Sequence, residues 1–192
     1  MTEKKKLSGA GLRGQSAGET ALCTVGKTGA GLTYRGYSIE TLADNASFEE
    51  VAYMLLYGKL PNAAELAQYK TRLTGMRELP EPLKACLELI PASAHPMDVM
   101  RTGCSMLGNL ETEGHFSEQI DKVDRMLALF PSIITYWYRF SHQGVRIETA
   151  TDHDSIGAHF LYCLLGEEPS ELHTRVMDVS LILYAEHEFN AS

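Results

Sequence analysis

From residue 37 onward, apolar residues recur every three or four positions, the spacing that brings them onto one face of an α-helix. Capping-box patterns begin at Ser47 and Asn62, Thr151 and Asp154 form a third possible cap, and Ser170 forms a fourth. Glycines and prolines mark the helix ends. The pattern predicts helices over residues 48–57, 63–74, 80–91, 96–108, 117–141, 152–166 and 171–187.

The longest predicted helix, 117–141, carries an uninterrupted apolar stripe. Its members step by three and four residues and are Ile120, Val123, Leu127, Phe130, Ile134 and Trp137. Pro131 lies within the helix and is expected to bend or interrupt it. The aromatic residues Tyr136, Tyr138 and Phe140 widen the apolar face. We therefore expect this helix to be contacted on more than one side.

The first 36 residues follow a different pattern. They contain eight glycines and two short β-type runs, 20–25 and 32–35, with turn-forming residues 27–30 between them. A small N-terminal β-hairpin is therefore predicted in front of a helical bundle. The fold class is all-α, and the chain divides into a glycine-rich β segment, 1–36, and a helical part, 37–192.

Composition narrows the class of protein further. A length of 192 residues suits one domain with a substantial core, and the net charge of −8 argues against general binding of nucleic acids. No apolar run reaches the roughly 18 residues that a membrane helix needs, and the N-terminus lacks the apolar segment of a secretory signal. Four widely spaced cysteines, without a C-x-x-C pair, indicate a reducing compartment. We expect a cytoplasmic protein.

Residues 21–28 match a relaxed phosphate-loop pattern, with alanine in place of its first glycine. Such a loop must be followed by the N-terminus of a helix, whose backbone amides bind the phosphates. Here the would-be loop is apolar and strand-like, and the glycine-rich residues 29–32 cannot begin a stable helix. A plain hairpin turn is the favoured interpretation, and no nucleotide cofactor is predicted.

A second candidate is a metal site formed by Asp152, His153 and Asp154 together with His159. Asp152 and His159 are two helical turns apart, which is roughly 10 Å along a helix axis. Ligands that bind one ion through bonds of about 2 Å cannot be so far apart. We therefore interpret the carboxylates as an acidic helix start, which favours the helix dipole, and predict no metal.

The end of the chain carries the most informative polar group. One stripe of the last predicted helix consists of Leu172, Val176, Val179, Leu183 and His187. His187 is thus expected to point inward, into a core or a cleft. Glu186 and Glu188 flank it and Asn190 follows one turn later, so they could orient or charge the imidazole. The residues alone support a core histidine and a functional histidine equally.

Five segments resemble the citrate synthase family. YAEHEFNAS, at 184–192, resembles its substrate-histidine motif, and SAGETALCTVGKTGAGLTYRGYSIETLA resembles its N-terminal β segment and first helix. HPMDVMRTG resembles a family loop and helix start through His95, Asp98, Arg101 and Gly103. YWYRFSHQG followed by TDHDSIGAHFLYCLLGEEP, and the Glu186-His187-Glu188 triplet, are closer to the 2-methylcitrate branch. The resemblance covers essentially the whole chain.

The resemblance implies an all-α, two-domain homodimeric enzyme that joins an acyl-CoA to oxaloacetate and then hydrolyses the thioester. In the 2-methylcitrate branch, propionyl-CoA, oxaloacetate and water give 2-methylcitrate and CoA during propionate breakdown. By the same resemblance, His187 holds the 2-oxo acid and Asn190 lies beside it. Use of acetyl-CoA, as in a citrate synthase, and a non-catalytic helical association module are the alternatives.

The resemblance also implies what the chain lacks. In the family, the aspartate base, two further catalytic histidines, the CoA-binding segment and most substrate arginines lie downstream of the substrate-histidine motif. The chain then corresponds to the N-terminal part of the large domain, without the small domain, and no catalytic residue is expected before Ser192. CoA thioester is a substrate rather than a cofactor, and the chain alone is predicted to be inactive.

Overall fold

The computed structural model of the chain describes residues 19–25, 31–112 and 114–186. A small antiparallel sheet comes first, with strands β1 (Cys23–Val25), β2 (Leu32–Tyr34) and β3 (Tyr37–Ser38) in that order. Cys23 lies opposite Tyr34 in the β1–β2 pair, so the predicted hairpin is confirmed. Its turn at 27–30, and the last residues of the relaxed phosphate-loop pattern, lie outside the described residues.

The third strand was not predicted. It follows a two-residue turn in which Arg35 (φ 47°) and Gly36 (φ 90°) both have left-handed backbones, and Tyr34 pairs with Tyr37 across it. This turn has the conformation that matches the twist of antiparallel strands. Arginine is an unusual residue in the left-handed region, so the sequence contains little sign of the turn.

Eight α-helices follow in the described part of the chain. They are α1 (Ile39–Asn45), α2 (Phe48–Tyr57), α3 (Ala63–Thr74), α4 (Glu81–Glu88), α5 (Pro96–Leu110), α6 (Gln119–Gln143), α7 (Ile156–Leu165) and α8 (Glu171–Leu183). One turn of 3₁₀ helix, Phe116–Glu118, precedes α6. The helical bundle with a small N-terminal β element is therefore confirmed, and α1 is an addition to it.

The predicted capping boxes are present at both positions. The Ser47 hydroxyl accepts from the amide of Glu50, whose carboxylate accepts from the Ser47 amide at 2.8 Å. Asn62 and Glu65 make the same reciprocal bonds at the start of α3. These caps satisfy amides that have no partner inside their helices, which explains why short-range sequence patterns located α2 and α3 well.

The two largest errors in predicted helix boundaries are at the start of α7 and the end of α8. Thr151 and Asp154 do not cap α7; its cap is Ser155, whose hydroxyl accepts from the Ala158 amide, because Thr151 is engaged with a buried histidine ring instead. The last helix ends at Leu183 and does not extend to residue 187. The hydroxyl of Tyr34 contacts the backbone just beyond that end, as described below.

The apolar stripe predicted along α6 is only partly buried, apart from Trp137. The most deeply buried residues of α6 include Asp124, Ala128, Ser132 and Thr135, none of which belongs to that stripe. Polar residues can occupy this side because each finds a partner; Asp124, for example, accepts hydrogen bonds from two tyrosines. Pro131 lies inside α6 without interrupting it.

The core consists of two apolar clusters, both of which include residues of α6. One joins the sheet with α1, α2, α3, α7 and α8, and the other joins α4, α5 and α6. None of the four cysteines, all within the described residues, forms a disulfide. No helix in the described ranges is both long enough and apolar enough to cross a bilayer.

Candidate functional site

The two predicted substrate-binding residues, His187 and Asn190, lie outside the described residues. The structure does describe the chain up to Glu186, the residue that directly precedes the histidine. The site can therefore be built from the contacts that hold this end of the chain, together with the surfaces beside it.

Tyr34 contacts the backbone where α8 ends. Its hydroxyl lies 3.3 Å from the carbonyl oxygen of Leu183 and 3.2 Å from that of Glu186, and its side chain is 0% exposed. Burial raises the pKa of the phenol, so it remains protonated and can donate. A residue of the N-terminal sheet thus supports the last described residue, about 150 positions later in the chain.

Tyr34 is itself held by the turn that follows it. The amide of Arg35 donates to the carbonyl of Leu22 at 2.7 Å, closing the β1–β2 pair. The guanidinium of Arg35 donates through Nη2 to the carbonyl of Leu55 at 2.7 Å, near the C-terminus of α2. A positive charge at this end of a helix is favourable, since the helix dipole is negative there.

Helix α8 is anchored by a nearly buried carboxylate. Oδ1 of Asp178 accepts from the backbone amide of Phe48, the first residue of α2, at 2.7 Å. Oδ2 accepts from Arg175 at 2.9 Å, and this arginine also donates to the carbonyls of Ala43 and Ala46. Asp178 therefore caps α2 from another helix, which fixes α8 against the α1–α2 junction.

Glu49 makes a second cap between helices. Its Oε1 accepts from the amide of Ile156, the first residue of α7, at 2.7 Å, and its side chain is buried. Burial raises the pKa of this carboxyl, and the hydrogen bond from Ile156 partly offsets that effect. Neither Glu49 nor Asp178 was predicted from the sequence, because their partners are more than 100 residues away.

His159 is a fully buried residue of the core. Its Nε2 lies 3.0 Å from the Ser132 hydroxyl and its Nδ1 lies 2.9 Å from the Thr151 hydroxyl. Burial, with smaller contributions from Arg77 and His153, lowers the pKa of the ring to about 3, so the imidazole is neutral. Within the described ranges, no three acidic, histidine or cysteine side chains are arranged to hold a metal ion.

The carboxylates of 152–154 do not form a helix start, contrary to our interpretation, because α7 begins at Ile156. Asp154 instead pairs with Lys70 of α3 at 3.1 Å, and the ring of His153 lies 3.8 Å from Glu168. These contacts connect the segment before α7 to neighbouring elements at the protein surface.

The buried side of α8 is not the one that its apolar stripe predicted. Leu172, Val176 and Leu183 are 70%, 57% and 48% exposed, whereas Asp178 and Ile182 are buried. Val179, the remaining described member of the stripe, is half-buried. The inward direction of His187 was thus predicted from a stripe that faces mostly outward, and His187 itself lies outside the described residues. The helix also ends at Leu183.

An apolar groove lies beside α6. Its volume is about 390 Å³, and its walls include Met97, Met100, Phe130, Ile134, Phe160 and Met177. The predicted aromatic surface near Trp137 does not contribute to it, because Trp137 is buried and donates to the carbonyl of Ile90 at 3.3 Å. From the α6 stripe, Leu127, Phe130 and Ile134 line this groove.

Comparison with known proteins gives consistent matches over the whole chain. Residues 11–192 match the family model described as citrate synthase, C-terminal domain. The 2-methylcitrate synthase of Shewanella oneidensis is 73% identical over 192 residues, which are 100% of this chain and 51% of that protein. 2-Methylcitrate synthase 2 of Corynebacterium glutamicum is 40% identical over 95% of this chain and 49% of its own length.

Solved structures give the same result. The citrate synthase of Thermotoga maritima superposes with a TM-score of 0.80 at 32% identity, covering 95% of this chain and 48% of that one. The Thermoplasma acidophilum citrate synthase in ternary complex with carboxymethyl coenzyme A and oxaloacetate gives 0.84 at 26%, covering 94% and 48%. The chain spans about half the length of these relatives, and it belongs to the citrate synthase family.

Proposed function

We propose that this chain is the N-terminal half of an enzyme that condenses propionyl-CoA with oxaloacetate and water, giving 2-methylcitrate and CoA. The observation that carries this proposal is the 73% identity to a 2-methylcitrate synthase over all 192 residues. Citrate synthases match at lower identity, for example 33% for that of Acidithiobacillus ferridurans. Propionyl-CoA is therefore the proposed acyl donor, with propionate catabolism in the cytoplasm as the setting.

The proposed roles of this chain concern oxaloacetate. His187 would hold the 2-oxo acid, and Asn190 would bind beside it, because the segment 184–192 resembles the substrate-histidine motif of the family. Support comes from the described scaffold, since Tyr34, Asp178 and Arg175 hold α8 and the backbone as far as Glu186. Substrate-binding groups need such rigid support to be effective.

The remaining chemistry requires groups that we do not assign to this chain. Removing a proton next to a thioester carbonyl needs a carboxylate base and a donor for the developing enolate oxygen. The carboxylates of oxaloacetate need cations, for which arginine is best suited. Each buried ionisable group described above, including Glu49, Asp124 and His159, is engaged in a structural contact. We therefore propose that the chain alone does not turn over.

We also propose that a second copy covers the apolar groove beside α6, forming a homodimer. The groove wall is apolar, and Met97 at its rim is 68% exposed. An exposed apolar surface of this kind is typical of a protein interface.

Condensation is tested with the full-length protein. CoA thiol release from propionyl-CoA plus oxaloacetate, with 2-methylcitrate identified by mass spectrometry, is the expected result, and acetyl-CoA should be the poorer donor. His187→Ala should weaken oxaloacetate use, whereas His173→Ala, on the exposed side of α8, should not. Unchanged oxaloacetate kinetics in His187→Ala would show that His187 does not bind oxaloacetate. Thiol release by the 192-residue chain alone would contradict the proposal that this chain is inactive by itself.

Dimer formation is tested by sedimentation of matched variants. Met97→Glu should shift the protein to monomer, because it places a charge in the groove. Leu89→Glu is the control, since Leu89 is 86% exposed and is not among the residues that line the groove. If the two variants sediment alike, the groove is not the dimer interface.

A further inference from the structure

We infer that Tyr34 is a positioning residue for the oxaloacetate-binding histidine, an inference that rests on the proposed function. Tyr34 is distant from His187 in sequence, but its hydroxyl contacts the backbone that leads directly to that residue. The inference assigns to the N-terminal sheet a role in substrate affinity.

The first step is that the regular hydrogen bonding of α8 stops after Leu183, because the last carbonyls of a helix have no amide partner within it. The Tyr34 hydroxyl lies within hydrogen-bonding distance of two carbonyl oxygens in this region, 3.3 Å from that of Leu183 and 3.2 Å from that of Glu186. It therefore bridges the end of the helix and the third residue beyond it.

The second step is that the hydroxyl itself is held in place. Tyr34 lies in β2, the central strand of the sheet, and pairs with Cys23 on one side and Tyr37 on the other. The following residue, Arg35, is tied to the carbonyl of Leu55. With its side chain fully buried, Tyr34 is a rigid support for the backbone that it contacts.

The third step is the covalent connection between Glu186 and His187. The carbonyl of Glu186 belongs to the peptide group that joins residues 186 and 187, and a peptide group is planar. Fixing this oxygen restricts the rotation of that plane, and hence one end of the segment that carries the proposed ligand. Small errors in the placement of a substrate-binding group reduce affinity strongly, so this restriction should be measurable as oxaloacetate binding.

Phenylalanine at position 34 isolates the effect of the hydroxyl. Tyr34→Phe keeps the buried ring and removes only the donor. In the full-length enzyme, it should raise the KM and the calorimetric Kd for oxaloacetate about threefold to tenfold, the loss expected for one hydrogen bond. The KM for propionyl-CoA should not change, because the proposed role concerns the oxaloacetate-binding histidine alone.

Tyr136→Phe is the matched control. Tyr136 is also a buried tyrosine, and its hydroxyl donates one hydrogen bond, to Glu88 at 2.7 Å in another part of the bundle. Tyr136→Phe should lose about as much thermal stability as Tyr34→Phe, but its KM for oxaloacetate should equal that of the wild type. All assays are made well below the unfolding midpoint of each variant, which is read by circular dichroism.

The outcomes separate the two proposals. A full-length wild type without condensation activity would overturn the proposed function, and with it this inference. An active wild type with an unchanged oxaloacetate KM and Kd in Tyr34→Phe would overturn the inference alone. An equal rise in Tyr136→Phe would also overturn it, because the effect would then follow from general destabilisation.

Discussion

Gly103 of α5 lies directly against Ile133 of α6. A Cβ atom added at position 103 would lie 2.7 Å from Cγ2 of Ile133, closer than such atoms can approach. Ile133 is fully buried, so it has little room to move. Glycine is required here by the approach of two helices rather than by its backbone conformation, and Gly103 is among the residues that carry the family resemblance.

Gly103→Ala should therefore destabilise the chain. We expect the free energy of unfolding to fall by about 1–3 kcal/mol, the usual effect of overpacking, when measured by urea denaturation. Gly108→Ala is the control in the same helix, because a methyl group added at that position would meet nothing within 4 Å. That change should stabilise α5 by up to about 1 kcal/mol. An unchanged free energy of unfolding in Gly103→Ala would mean that α5 and α6 can move apart to accept the added methyl group.

The neutral His159 ring predicts a specific loss of stability in acid. An unfolded histidine takes up a proton below a pH of about 6.5, whereas the pKa of His159 in the folded chain is about 3. Between these values the unfolded state binds more protons, so the free energy of unfolding should decrease as the pH falls, by about 1.4 kcal/mol per unit. Urea denaturation at pH 7 and pH 5 measures the difference.

Two further measurements test whether His159 causes the loss of stability in acid. Its ring proton signals in NMR spectra should not shift between pH 8 and pH 5. His159→Gln should flatten the pH dependence of stability, whereas His173→Gln, an exposed change, should leave it as in the wild type. A His159 signal that titrates near pH 6.5 in the folded chain would contradict the prediction.

Asp124 of α6 is a fully buried carboxylate with three partners. It accepts from the hydroxyls of Tyr57 at 2.6 Å and Tyr69 at 3.0 Å, and pairs with Nε of Arg72 at 3.1 Å. Burial and the adjacent carboxylate raise the pKa of both phenols. Asp124→Ala leaves both phenols without their acceptor and Arg72 without its buried partner, and we expect a loss of about 3–5 kcal/mol in chemical denaturation.

A second aspartate on the same arginine is the control for that change. Asp121 pairs with Nη2 of Arg72 at 2.7 Å, but its side chain is largely exposed. Asp121→Ala should cost less than about 1 kcal/mol, as is usual for surface ion pairs. Similar losses in the two alanine variants would show that burial does not decide the strength of this cluster.

The exposed stripe of α8 predicts a difference between the chain and the longer protein. Leu172→Lys should change the stability of the isolated chain by less than about 0.5 kcal/mol, because Leu172 is exposed there. In the full-length protein we expect a lower unfolding temperature, since an apolar helical stripe is normally covered. Leu89→Lys should be neutral in both. If Leu172→Lys is neutral in both proteins, the α8 stripe is not covered in the full-length protein.

Local capping groups made three helix starts predictable. Ser47, Asn62 and Ser170 cap residues two or three positions later, and all three were predicted. Helix α1 follows the same rule through Ser38, whose hydroxyl accepts from the Thr41 amide, but the family resemblance alone indicated a helix there and the capping pattern was not recognised. Gly58 and Gly166 end their helices in the left-handed conformation, as glycine allows.

The groups around the candidate site could not be predicted in this way. Glu49, Asp124 and Asp178 are polar residues on buried helix faces, so apolar periodicity did not identify them as buried. Their burial depends on partners from distant parts of the chain, which no local pattern contains. The substrate-binding assignments of His187 and Asn190 came from the family resemblance and stay predictions.

The two carboxylate caps also bear on how the protein is made. The amide of Phe48 is satisfied by Asp178, synthesised 130 residues later, and Ile156 by Glu49, synthesised 107 residues earlier. A nascent chain emerging from the ribosome therefore cannot complete the start of α2 until α8 has been translated. Contacts of such long range slow folding and leave the early helices dependent on late ones.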